Sequence, residues 1–155
     1  MNKKKQIDDI IIETITKNDL KYVLDLYSLP DIDNGKSLQI DKAKEIFEIM
    51  STYPSYKIYV AKLNDIIVGT FSLIIMDNII HFGRSTGLVE SVVVHEKYRS
   101  LGIGKKMMEF AIQRCKESNC YKMSLSSNMT RERAHSFYER LGFKKHGYSF
   151  MIEIK

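Results

Sequence analysis

An apolar run, Leu88-Val89-Glu90-Ser91-Val92-Val93-Val94, is followed shortly by Arg99-Ser100-Leu101-Gly102-Ile103-Gly104-Lys105 and then by a helical stripe. The stripe is Ile103, Met107, Met108, Ala111, Ile112 and Cys115, recurring every three or four residues with Lys and Glu opposite. The chain must therefore pass from a strand, through a tight basic glycine loop, straight into an amphipathic helix. That order places unpaired N–H groups at the positive end of a helix beside the end of a strand, a concavity suited to a phosphate.

The remaining segments supply the elements around this unit. Residues 10–15, Ile-Ile-Ile-Glu-Thr-Ile, read as a first strand. Asn18 or Asp19 can cap a helix through Leu20, Val23, Leu24 and Tyr27, ended by Pro30, with a polar loop over 31–37. A second helix is predicted over about 41–50, with Ala43, Ile46, Phe47 and Met50 on one face. Residues 56–62 alternate as a strand, and Asn64-Asp65 turns the chain into 66–76, a hairpin signature. A loop over 77–86 precedes the 88–94 strand. The helix after the glycine loop runs to about Ser118, and 122–126 form a strand. Residues 131–141 form a helix with Ala134, Phe137, Tyr138 and Leu141 inward and Gly142 as its stop. Alternation over 143–154 predicts a last strand that closes the sheet. The order β-α-α-β-β-β-α-β-α-β describes a mixed α/β fold.

Size and charge set bounds on function. At 155 residues the chain reads as one domain, 1–155, long enough to bury roughly 70% of its unfolded surface. The formal charge of +5 suits an anionic ligand but is too small and dispersed to indicate nucleic acid. No apolar run approaches ~18 residues, so no membrane span is expected. The basic start, Met1-Asn2-Lys3-Lys4-Lys5, is interrupted by Asp8 and Asp9 before a signal-peptide core develops. Cys115 and Cys120 lack metal-ligand spacing and read as reduced thiols of a cytoplasmic protein, so no metal is expected.

The loop must be weighed against other phosphate binders. A dinucleotide fingerprint, G-x-G-x-x-G, needs a third glycine where Met107 stands, and the Walker pattern is absent. A lone G-x-G before a helix can simply let a loop turn tightly. The flanks, Tyr98-Arg99 and Lys105-Lys106, add cations beside the bare amides. Lys106 reads equally well as part of a solvated helix face.

A second segment decides among the cofactors. Asn128 precedes Ala134-His135-Ser136-Phe137-Tyr138-Glu139-Arg140-Leu141-Gly142-Phe143. Together with Arg99-Ser100-Leu101-Gly102-Ile103-Gly104, one helix and one strand upstream, it resembles the GCN5-related N-acetyltransferase superfamily. In that superfamily R/Q-x-x-G-x-G/A follows the fourth strand, and an Asn with A-x-x-F-Y-x-x-x-G-F follows the fifth. The resemblance is strong from about residue 88 onward. The N-terminal half agrees only in element order. It implies the acyl-CoA N-acyltransferase fold, a mixed and mostly antiparallel sheet with splayed strands four and five, flanked by helices. The cofactor-binding core would be about 88–143.

The same resemblance implies acetyl-CoA as acyl donor. The pyrophosphate would sit on the amides of Ser100, Leu101, Gly102, Ile103, Gly104 and Lys105, with Arg99 framing the loop. The pantetheine would pair with the backbone of Val92, Val93 and Val94, and Asn128 would hydrogen-bond it. Asn128 can instead be a helix cap, for which Thr130 is better placed. The reaction is acyl transfer to an amine, whose proton must go because a free alkylamine has a pKa of about 10. Glu90 is the candidate base, though a lone Glu among valines can also face solvent or pair with a cation. The Val92 N–H would steady the oxyanion. Tyr138 matches the family's acid for the leaving thiolate. It can equally be part of a packing stripe with Phe137 and Leu141.

His135 reads as surface or cofactor rim rather than catalyst. Direct attack of the amine in a ternary complex requires no acyl-cysteine, so Cys115 and Cys120 can be inert. For the acceptor, the resemblance points to residues 27–50 and 77–87, where Asp31, Asp33 and Asp77 could hold an ammonium group or be solvated turn residues. The segments Glu90-Ser91-Val92-Val93-Val94 and Asn119-Cys120-Tyr121-Lys122 are similar to glucosamine-phosphate N-acetyltransferases. The Arg131-x-x-Ala134-His135-x-Phe137-Tyr138 form is similar to aminoalkylphosphonate acetyltransferases. Both favour a small-molecule amine. A protein or peptide acetyltransferase, or a non-catalytic acyl-CoA-binding regulatory module, stays open beside it. Such domains often pair through edge strands or C-terminal segments, which allows a homodimer.

Overall fold

The computed structural model describes residues 9–33 and 35–154, and only the backbone of Asp31 and Asp33. The basic start therefore lies outside the described residues, as do the side chains of Asp31 and Asp33 that were candidates for holding an ammonium group. Backbone contacts divide the chain into two compact units, one up to Ser124 and one from Leu125 onward.

The first unit holds β1 (Ile10–Thr14), α1 (Leu20–Tyr27), α2 (Pro30–Asp33), α3 (Ile40–Ser51), β2 (Tyr56–Leu63), β3 (Ile66–Met76), β4 (Thr86–Val94) and α4 (Ile103–Glu117). The first three residues of β5 (Lys122–Leu125) end it. The sheet runs in the order β1-β2-β3-β4-β5, antiparallel from β1 to β4, with β5 parallel to β4. Asn64 and Asp65 take the left-handed φ values, 49° and 64°, of the tight hairpin turn between β2 and β3.

Helix α4 covers one face of the sheet. Its stripe is buried as the periodicity requires, with Ile103 1% exposed and Met107, Met108 and Ala111 at 0%. Tyr59 stacks on Phe71 at 5.2 Å and meets Phe110 of α4 edge-on at 5.1 Å. Two glycines let the helix sit this close. A Cβ on Gly69 would lie 3.0 Å from Met107 Sδ, and one on Gly87 would overlap Cys115 Sγ outright.

On the other face lies α1. It packs across β3 and touches β4, while α3 packs on α1 and β2. Its entry is fixed by the turn before it. The Thr16 N–H and hydroxyl both donate to Asp19 Oδ2 at 2.7 Å, and Lys62 Nζ lies 3.5 Å from Asp19 Oδ1. Burial pushes the Asp19 carboxyl up, but the Thr16 hydrogen bonds and the Lys62 ammonium outweigh it and hold the group below its ordinary value.

Two expectations need correction. Residues 31–33, expected as loop, join Pro30 in a helical turn, because Pro30 supplies a helical φ at a first position and the Ile32 N–H donates to Leu29 O at 2.8 Å. The expected closing strand over 143–154 is not formed. Tyr148, Phe150, Ile152 and Ile154 alternate but are 93%, 92%, 82% and 88% exposed. Period-two spacing defines a face, whereas a strand exists only where a neighbouring edge accepts its backbone groups.

The second unit contains α5 (Glu132–Arg140), and Phe137 and Tyr138 of this helix form an edge-on aromatic cluster with Phe143 beyond it, with centroid distances of 5.1 and 5.5 Å. No helix among the described residues is long and apolar enough to cross a membrane.

Two stability outcomes follow from this packing. Gly87→Ala drives a methyl group into Cys115 and should destabilise the chain by about 1–3 kcal/mol in denaturant unfolding. Adding Cys115→Ala should restore part of the loss, a coupling that a double-mutant cycle measures. Asp19→Asn should reduce stability at neutral pH by about 1–2 kcal/mol. Because the folded-state pKa of Asp19 is depressed, its contribution is present above the ordinary carboxylate range and is lost as pH falls through the lowered value. The variant should therefore lose less stability on acidification than the parent.

Candidate acyl-donor and acceptor site

β4 is not a regular strand. Ser72 pairs with Glu90 and Thr70 with Val93, so Ser91 and Val92 together oppose Phe71 in a β-bulge. Ser91 takes a left-handed φ of 53° there. Such a backbone costs a non-glycine residue of the order of 1–3 kcal/mol and concentrates at functional sites. The sequence run 88–94 gave no sign of the bulge beyond a serine among valines.

Cross-strand partners share a face, so Glu90 stands with Ser72, and Val93 with Thr70, on the α1 side of the sheet. Glu90 is half-buried, and its carbonyl accepts from Ser72 Oγ at 3.2 Å. The Tyr121 N–H donates to Ser85 O at 2.9 Å, which sets the start of β5 beside the start of β4. With four residues against nine, β5 runs alongside only the first half of β4. The backbone of Val92, Val93 and Val94 lies beyond it.

After Val94 the chain makes a short 3-10 turn, Glu96–Tyr98, capped by the His95 ring accepting from the Lys97 N–H at 3.3 Å. Arg99 Nε donates to Val94 O at 3.0 Å, tying the loop back to the strand it left. Ser100 and Gly102 are both left-handed, with φ of 65° and 86°, and Gly102 is the cap from which α4 starts. Lys106 N–H donates to Gly102 O at 3.0 Å. The N–H groups of Ile103, Gly104 and Lys105 precede that bond and have no partner within the helix. Left-handed residues alternating with others turn successive N–H groups inward, the form of an anion-binding nest. Residues 99–105 thus make one continuous feature at the end of β4.

Asn128 and Tyr138 belong to the second unit. Asn128 Oδ1 accepts from the Thr130 N–H and from Thr130 Oγ1, each at 2.9 Å. Asn128, not Thr130, therefore supplies the acceptor for this turn, because an Asx side chain reaches the N–H two residues on. His135 Nε2 lies 2.9 Å from Asn128 O, holding the same turn from the helix side. Burial pushes the Tyr138 phenol up, opposed by the charge of Arg131. The phenol is therefore protonated across the physiological range.

Elsewhere in the first unit, burial, with Cys120 as neighbour, pushes the Cys115 thiol up to about 12, and burial also raises Cys120. A thiol held in this way is not a nucleophile at neutral pH. Asp77 Oδ1 accepts from Ser85 Oγ at 2.9 Å, which makes it part of the turn before β4. No group of three His, Cys, Asp or Glu residues suited to a metal occurs among the described residues.

Comparison with known proteins agrees with this geometry. A profile described as the Acetyltransferase (GNAT) family matches residues 23–143. The chain is 35% identical over 88 residues to a glucosamine 6-phosphate N-acetyltransferase of Trypanosoma brucei brucei, covering 57% of this chain and 58% of that one. It is 28% identical over 97 residues to an aminoalkylphosphonate N-acetyltransferase of Salmonella typhimurium, covering 63% and 62%. These matches span less than two thirds of either relative. A solved Trypanosoma brucei acetyltransferase has a TM-score of 0.81 and 27% identity, covering 94% of this chain and 100% of that one. The glycine loop, the bulged strand before it and a profile match over most of the chain assign this protein to the Acetyltransferase (GNAT) family.

Proposed function

We propose that the chain is an acetyl-CoA-dependent N-acetyltransferase acting on a small-molecule primary amine, with 1–155 as one domain and 88–143 as its donor-binding part. The nest at Ser100–Lys105, joined to a strand whose bulged second half β5 does not accompany, carries the reading. The relatives named above, which act on an amino sugar phosphate and on aminoalkylphosphonates by their descriptions, support a small amine as acceptor.

The N–H groups of residues 100–105 hold the pyrophosphate, and Arg99 fixes their curvature from Val94 O. Val92, Val93 and Val94 offer backbone N–H and C=O groups to the pantetheine, and the amide nitrogen of Asn128 offers a further donor. Glu90, on the α1 face, takes the proton of the attacking ammonium. The amine nitrogen then bonds the acetyl carbon and the carbon–sulfur bond breaks. The Val92 N–H donates to the oxygen as charge develops on it. Tyr138, kept protonated by burial, gives its proton to the departing thiolate. The products are the N-acetyl amine and the free thiol. No cysteine takes part.

Three measurements test this. Tyr138→Phe should leave coenzyme A affinity intact in calorimetry and reduce kcat by about 100-fold. The acid must be protonated to act, and its pKa is raised, so parent activity should persist through neutral pH and fall only in the alkaline range. That alkaline limb should vanish in the phenylalanine variant. Gly102→Val places a β-branched residue at φ 86° and fills the nest. It should weaken coenzyme A binding by at least about 10-fold with an unchanged circular dichroism spectrum. Full retention of affinity would remove the nest from the donor site.

A further inference from the structure

On the α1 face of the sheet a cavity of about 240 Å³ opens between α1, residues 36–38, α3 and β2. Its wall is apolar: Val23 and Leu24 of α1, Leu38, Phe47 and Met50 of α3, and Ile58 of β2. Lys36, Ser37 and Tyr27 are its polar lining, and no carboxylate contributes among the described residues. Tyr27 connects this space to the reacting strand. Its phenol is half-buried at the end of α1, a helix that touches β4, and burial raises its pKa against the nearby hydroxyls of Thr70 and Ser91, the latter in the β4 bulge next to Glu90. Thr70 Oγ1 donates to Tyr59 O at 2.9 Å, which fixes the direction of that hydroxyl.

The chemistry of this lining discriminates among amines. A phosphorylated amino sugar carries a dianion and several hydroxyls, each of which needs a partner once removed from water. Among the described residues the cavity provides one lysine, the hydroxyls of Ser37 and Tyr27, and otherwise a wall of aliphatic and aromatic carbon. An apolar cavity of about 150 Å³ holds a benzene-sized molecule, so 240 Å³ has room for a ring with a short alkyl chain.

We propose that the acceptor is a primary amine on an apolar body, of arylalkyl or alkyl type, lying between α1 and α3 with its nitrogen at the Tyr27–Ser91 end. This rests on the acetyltransferase reading and narrows its substrate class. The reaction is unchanged: the nitrogen gains the acetyl group, coenzyme A leaves as the thiol, and the amine proton passes to Glu90. Tyr27 acts as a positioning residue at the inner end of the cavity.

The test is thiol release from acetyl-CoA by the full chain, with 2-phenylethylamine, n-hexylamine, glucosamine 6-phosphate and 2-aminoethylphosphonate as acceptors. Coenzyme A binding is measured separately by calorimetry. kcat/KM for 2-phenylethylamine should exceed that for glucosamine 6-phosphate by at least about 10-fold. Met50→Gln, which keeps the side-chain length, should raise KM for 2-phenylethylamine several-fold without altering coenzyme A affinity. Tyr27→Phe should raise KM for the amine more than it lowers kcat. Coenzyme A binding with glucosamine 6-phosphate or 2-aminoethylphosphonate preferred overturns the apolar class and leaves the acetyltransferase reading standing. Binding with no turnover of either apolar amine overturns it too. Absence of both coenzyme A binding and thiol release with every amine overturns both readings.

Discussion

Helix α4 lies against β3 and β4 where Gly69 and Gly87 remove the side chains that would hold it away, and the loop at its N-terminus inherits its position from that contact. Met107 Sδ and Cys115 Sγ occupy the space that a Cβ at either glycine would claim. With Ile103, Met107, Met108 and Ala111 sealed on the sheet, the first turn of the helix has one orientation relative to the end of β4. The N–H groups of residues 103–105 then point where the chain leaves the strand. Arg99, bonded to Val94 O, closes the same corner from the other side. A donor site built on backbone amides needs this rigidity, because amides cannot adjust as side chains do.

The bulge at Ser91 and Val92 is the second constraint. It turns the second half of β4 away from strict alternation while keeping Val93 in register with Thr70. It lies on the strand that α1 touches, and Tyr27 at the end of α1 lines the cavity, so the strand of the proposed chemistry and the cavity share one helix. The strained φ at Ser91 and at Ser100 falls on the two stretches that the proposed mechanism uses.

Much of this was legible in the residues. The stripe from Ile103 to Cys115 was readable because helix burial follows a 3.6-residue period, and the Asn64-Asp65 hairpin because those side chains tolerate left-handed backbone. The glycine loop and the Asn128 to Phe143 segment identified the family, which the profile match bears out. The helical turn after Pro30 is not legible, because a single turn carries no periodicity. Alternation over 143–154 does not make a strand, since it says nothing about whether an edge is there to pair with it. The bulge is a mismatch between two strands, and Phe71 facing two residues is invisible within either one. Tyr27 is legible as part of a helix face, but its place in a cavity with Phe47 and Ile58 joins residues far apart along the chain.

The sequence by itself determined the strand, the glycine loop, the helix stripe and the family, all of which depend on neighbours a few residues apart. Backbone conformation, periodicity and capping act over that range, so they can be read from local order. Tertiary structure alone decided which face of β4 carries Glu90, where the strand bulges, and what lines the space beside Tyr27. Those properties come from register and burial between distant segments, and no local pattern encodes them.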